Sequence, residues 1–163
     1  MIRKILLLFM AALVIIQFFH PDKNTDSSSA SETNDISKVM VVPDNVQDIL
    51  QTSCYDCHSN NTDYPWYAEI QPVGWWLNHH IDEGKNEVNF NEFSTYSLRR
   101  QYKKLEEIIK QVKEDEMPLG YYTVIHKDAV LSKEQKLLVS AWANAAIDSM
   151  KAKYPADSLL RKK

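Results

Sequence analysis

The chain has 163 residues, which suits one domain with accessory segments rather than two full domains. A charged fraction of 25% and a hydrophobic fraction of 44% are ordinary for a folded protein. The net charge of −3 excludes the strongly basic surface of a nucleic-acid binder, and only three glycines, with no Gly-rich phosphate loop, leave nucleotide binding unsupported.

At the N-terminus, Arg3 and Lys4 precede an apolar run from Ile5 to Phe19, broken only by Gln17. A short basic region before such a run marks an export signal or a membrane anchor. The exit, Gln17-Phe18-Phe19-His20-Pro21, has no small-residue cleavage pattern, which favours an anchor over a cleaved signal. With Met1 and Ile2 the run nears the lower end of the roughly 17–25 apolar residues a spanning helix needs. The basic flank then stays in the cytoplasm, so the expected location is the inner membrane with the domain in the periplasm. Residues 1–20 are assigned to the signal anchor or signal peptide. Pro21 to Lys38 is rich in Ser, Asp, Asn and Thr without apolar periodicity, so 21–40 is expected to be a flexible polar tether. The domain is placed at 41–155 and a polar tail at 156–163.

Within the domain, Asp44 is expected to cap a short helix over residues 45–53, with Val46, Ile49 and Leu50 on one face. This helix leads into Ser53-Cys54-Tyr55-Asp56-Cys57-His58, which holds the only two cysteines. A structural zinc site needs two more ligands at matching spacing, and the adjacent His79 and His80 are poorly placed to chelate together. A thioredoxin-type pair needs a strand–helix–strand setting that does not follow. A disulfide across two residues closes too small a loop to stabilise much. Covalent haem attachment is the fourth and favoured reading, and C-x-x-C-H is its pattern. Two thiols must reach two vinyl groups on one edge of a flat macrocycle; one backbone turn places both there and aims the next imidazole at the iron. Export agrees with this, since c-type haem is attached outside the cytoplasm.

A polar turn follows, in which Asn60 begins an N-x-T sequon that matters only where the host glycosylates exported proteins. Pro72 is expected to open a second helix through Val73, Trp75, Trp76 and His80 towards Gly84. Ser94 is expected to cap a third, reaching about Asp115, with Leu98, Tyr102, Leu105, Ile109 and Val112 as the buried stripe. Lys103, Lys104, Glu106, Glu107 and Lys110 form its solvated face. The one strand-like stretch is Tyr121–Ile125. The last helix starts at Ser132, with Gln135 as capping-box partner, presents Leu138, Trp142, Ala145 and Met150, and ends before Pro155. The fold class is mostly α: a small helical domain around one covalent haem, preceded by an N-terminal membrane helix.

Between the last two long helices lies Glu116-Met117-Pro118-Leu119-Gly120. Pro118 biases Met117 out of helical geometry, and a stiff loop projecting a thioether suits the sixth iron position. Methionine opposite histidine raises the reduction potential, which suits electron transfer. Met117 as a core gap-filler, His79, His80 or His126 as ligand, and an open distal side all remain alternatives. Trp66, Trp75, Trp76, Tyr121 and Tyr122 are candidates to line the haem.

The order of these features resembles class I cytochrome c: a short helix into Cys54-x-x-Cys57-His58, a Met117-Pro118 loop, and a closing amphipathic helix. The finer pattern is similar to the bacterial haem-binding domain family of small exported proteins. It covers about Val42 to Met150 through CYDCHSNNT, PWY, GWWLNHH, DEGKNEVNFNEFS, EMPLGYYTVIH and LSKEQKLLVSAWA. The resemblance implies a haem held at Cys54 and Cys57, with His58 axial and Met117 distal. Glu83–Ser94 and the paired Trp75–Trp76 depart from mitochondrial-type cytochrome c.

The expected function is therefore a membrane-tethered periplasmic electron carrier and not an enzyme, with one haem c and a redox partner protein that offers a basic docking patch. The alternative is a haem-based sensor or small-ligand binder in which Met117 is displaced. Peroxidase activity would need an open site and a distal acid–base group, for which only His126 or Glu116 offers itself.

Overall fold

Among the described residues, 1–26 and 29–160 of the computed structural model, every regular element is helical and there is no β-strand. An isolated antiparallel bridge joins Thr25 to Asn61. The helices are α1 (Ile2–Ile16), α2 (Ser29–Asn34), α3 (Asp44–Ser53), α4 (Tyr55–His58), α5 (Val73–Glu87), α6 (Leu98–Lys113), α7 (Gly120–Ile125), α8 (Lys133–Lys153) and α9 (Ala156–Leu159). Short 3-10 turns occur at Ile36–Lys38, Trp66–Glu69, Phe90–Thr95 and Lys127–Ala129.

The main core forms where α6 packs on α8 and α3 leans against α8. Val46, Ile49, Leu50, Tyr102, Leu105 and Val112 are buried there, as their spacing predicts. On α8 the buried face is Val139, Trp142, Ala143, Ile147 and Met150, whereas Ala145 points to solvent. Ser132 and Gln135 form the expected capping box, with bonds of 3.1 and 2.8 Å. A smaller cluster, Ala68, Leu77 and Ile81, lies between α5 and the Trp66–Glu69 turn.

Several expectations change. Asp44 lies in the first turn of α3 behind Pro43, where its charge faces the positive end of the helix dipole. Ser97, not Ser94, caps α6 by accepting from Arg100 N–H at 3.3 Å. Ser94 belongs to a turn that buries Phe90 and Phe93, and its hydroxyl donates to Asn34. Lys104 is buried rather than solvated, because its ammonium sits between Glu87 and Glu107 at 2.9 and 2.6 Å. The Tyr121–Ile125 stretch is helix α7. Among the described residues no strand is available to take up its backbone groups, so a helical turn satisfies them internally.

The polar segment after α1 is built into the domain. Asn24 Nδ2 donates to Ser59 O and Thr62 Oγ1, both at 2.9 Å, and its backbone N–H donates to Tyr64 Oη. Asp35 accepts from Tyr55 Oη at 2.9 Å and from Asn91 Nδ2 at 3.0 Å, and Ile36 is fully buried. One apolar plug and a set of side-chain hydrogen bonds do what apolar periodicity does elsewhere. Residues 27 and 28 of the expected tether and 161–163 of the expected tail lie outside the described residues. The remainder of that tail carries α9, which seats Leu159 in the main core.

The expected N-terminal spanning helix is shorter than its apolar run. α1 has 15 residues, a rise of about 22 Å, and stops where Gln17 turns its amide onto Gln71. Among the described residues no helix is long and apolar enough to cross a membrane.

Candidate functional site

Cys54 leaves α3 in a non-helical conformation and starts the single turn of α4, where Cys57 and His58 both donate their N–H to Cys54 O, at 3.2 and 3.0 Å. That turn brings the two thiols and the imidazole together. It is held from behind by Tyr55, which stacks on Phe90 with ring centroids 5.1 Å apart. Asp56 secures its other edge, accepting from Tyr122 Oη at 2.6 Å and from Asp63 N–H at 3.2 Å. Cys54 packs against the main core and Cys57 against the smaller cluster, so the motif bridges the two.

Helix α5 approaches this turn at Gly84, where an added Cβ would lie 2.6 Å from Cys57 O and 3.2 Å from Cys57 Cβ. The contact also serves His58. Its Nδ1 lies 2.9 Å from both Gly84 O and Val88 O. Two carbonyls can only accept, so Nδ1 carries the hydrogen and Nε2 is the basic atom, without a partner among the described residues. Burial pushes the His58 pKa below its ordinary value against the opposing effect of those two bonds. A neutral imidazole with its Nδ1–H tied to backbone is the form that ligates a metal through Nε2.

Two adjoining cavities of about 520 and 450 Å³ open beside the motif, each in the size range of cofactor sites. Cys54, His58, Met117 and Pro118 line both, and Cys57 lines the first. Met117 reaches this wall because α6 ends in a fold-back: Asp115 takes φ 61°, and Glu116 and Met117 both donate to Gln111 O, at 3.0 and 3.2 Å. The four residues expected at the site therefore share one cleft, and the free Nε2 and thioether are the donors a haem iron requires. The cleft fits that group.

The rival ligands separate. His79 is exposed and pairs with Glu83, and His126 bonds Tyr67 Oη at 2.7 Å on a different surface. His80 does line the first cavity, with Nδ1 bonded to Trp76 O at 2.8 Å. Tyr121 and Tyr122 line it as well, while Trp66, Trp75 and Trp76 do not. Glu116 and His126, the acid–base candidates, are absent from both linings. Asn60, the sequon residue, is buried and bonded to Asn89 and Glu92, which is no place for a glycan.

Burial raises both thiols, Cys54 to about 12, with Cys57 adding to the effect, and Cys57 to about 11, with Asp56 adding. A dithiol redox centre needs the opposite shift. Among the described residues no three His, Cys, Asp or Glu side chains cluster as a metal site of their own.

The sequence offers Tyr122 only as a lining residue and Gly84 only as the far end of a helix; the bond from Tyr122 to Asp56 and the contact of Gly84 with Cys57 come from the structure. Gly84 had a signal: glycine inside a helix costs about 1 kcal/mol against alanine, so its presence there points to close packing.

Fold and cleft together define a small helical domain shaped to hold a prosthetic group beside one cysteine-bearing turn. A family model described as the haem-binding domain matches residues 11–145, and the chain belongs to that family. Comparison with curated proteins and with solved structures gives no match.

Proposed function

We propose that the chain carries one c-type haem, joined to Cys54 and Cys57 and ligated by His58 and Met117, and serves as an electron carrier attached to the outer face of the inner membrane. The observation that carries this reading is the convergence of those four side chains on one cleft, with His58 already in the ligating tautomer.

Each thiol would add across one vinyl group, its hydrogen passing to the neighbouring vinyl carbon, so attachment needs no oxidant. Gly84 and Val88 orient the His58 ring, and the α6 fold-back presents Met117. When bound, the haem iron supplies the one-electron chemistry. The protein then sets access and potential; Lys104, Glu87 and Glu107 place charge along the second cavity. The exposed apolar surface of α1 is the means of membrane attachment, and the mild acidity of the chain favours a redox partner with a basic docking face.

The test is the intact mass of the full chain from a host that attaches c-type haem. The expected mass is the chain plus one haem, unchanged by acidic organic extraction and lost in the Cys54→Ser, Cys57→Ser double variant. Haem that extracts freely from the parent would contradict covalent attachment.

A further inference from the structure

The junction between α1 and the domain is jointed by specific polar contacts. The Gln17 amide meets the Gln71 backbone in both directions: Nε2 donates to the carbonyl at 3.0 Å and Oε1 accepts from the N–H at 2.9 Å. Trp75 Nε1 donates to Phe19 O at 2.6 Å, His20 lies over Glu69, and Lys23 pairs with Glu69. Gln71 is buried, so the joint enters the fold rather than lying on it. With the Gln17 side chain and the Phe19 carbonyl held on either side of Phe18, α1 leaves the domain in a defined direction.

Around this joint the domain turns apolar side chains outward. Trp66 is 77% exposed, Ile70, Val73 and Trp75 within the next nine positions are exposed as well, and Trp75 bonds Phe19 of the equally exposed α1 exit. They come from the Trp66–Glu69 turn, the corner after it and the first turn of α5. Tryptophan is enriched where membrane meets water, because its ring is apolar and its N–H polar. The single carboxylate among them, Glu69, is paired with Lys23.

We propose that this face, Trp66, Ile70, Val73 and Trp75 with Phe18 and Phe19, docks on the headgroup–acyl boundary of the bilayer and holds the domain at a fixed orientation. The inference rests on the membrane attachment proposed above. Lipid is the occupant because the face is continuous with α1, whose apolar side chains are exposed along its length. Length argues the same way. An α1 rise of about 22 Å falls short of a hydrocarbon core of about 30 Å. Attachment therefore cannot rest on α1 as a span, and an apolar rim at its exit adds membrane contact that α1 alone lacks.

The experiment places a photo-crosslinking benzoylphenylalanine at position 66, 73 or 137 of the full haem-loaded chain in its native membranes. Position 137 is the control, an exposed leucine on α8. The expected result is lipid adducts at 66 and 73 several-fold above 137, with Gln17→Ala bringing position 66 down towards 137 while the protein stays in the membrane. Equal yields at all three positions in membrane-bound protein, or chain-to-chain adducts at 66, overturn the docking face and leave the attachment standing. Release of the chain by alkaline carbonate overturns the attachment itself, and the docking face with it.

Discussion

On one side of the cleft, α3, α6 and α8 share a continuous core in which Leu50, Phe93, Leu105 and Ala143 are shut off from water. On the other, α5 and the Trp66–Glu69 turn bury only Ala68, Leu77 and Ile81. Burying one leucine-sized side chain contributes roughly 1.5–3 kcal/mol, so the larger cluster makes the first wall much the firmer of the two. The second leans on close contact at Gly84, on hydrogen bonds and on whatever fills the cleft. Cys54 belongs to the first wall and Cys57 to the second. The haem proposed to join both cysteines would supply the apolar contact that the thinner wall lacks.

The difference can be broken from either side. The largest effect is expected from Leu105→Ala in the main core, a loss of about 3 kcal/mol by denaturant titration, the same with and without haem. Gly84→Ala acts on the thin wall: its methyl collides with Cys57 O, forcing α5 off the motif at a cost of about 1–3 kcal/mol. Unlike Leu105→Ala, it should lower the haem-to-protein ratio more than it lowers thermal stability. Tyr122→Phe, which takes the hydroxyl from Asp56, is expected to cost about 1.5 kcal/mol, seen as a lower unfolding midpoint. Ser132→Ala removes the α8 cap for about 1 kcal/mol and should leave haem content unchanged.

The smallest expected effect lies in the pH dependence of the haem-free chain. The folded pKa of His58 lies below its ordinary value near 6.5, so the unfolded chain binds the proton more tightly. Stability is therefore complete above that value and declines as pH falls through it towards the depressed folded pKa. The His58→Gln variant should show a flatter slope across that window; an identical slope would assign the effect to other groups.

What the sequence disclosed, and what it hid, follows the same division. The C-x-x-C-H turn, the α6 stripe, the Ser132–Gln135 box and the Met117-Pro118 loop are local patterns, set by neighbours three or four residues apart. The contacts that place them are long-range. Gly84 meets Cys57 across 27 positions, Asn24 meets Thr62 across 38, and Asp35 meets Asn91 across 56. No periodicity encodes those pairs. The polar stretch around Asp35 thus read as a loose tether, because composition records its polarity and not its partners. The apolar run likewise showed an N-terminal helix but overstated its length, because the Gln17–Gln71 joint just beyond Ile16 is a long-range contact.

The central claim is tested most directly by the visible spectrum of the exported, full-length protein, oxidised and reduced, before and after carbon monoxide. The account predicts a covalent haem with a thioether-to-iron charge-transfer band that is lost in Met117→Ala, and a reduced spectrum indifferent to carbon monoxide until that substitution is made. Ready carbon monoxide binding by the parent would contradict His58–Met117 ligation and establish a displaceable distal side.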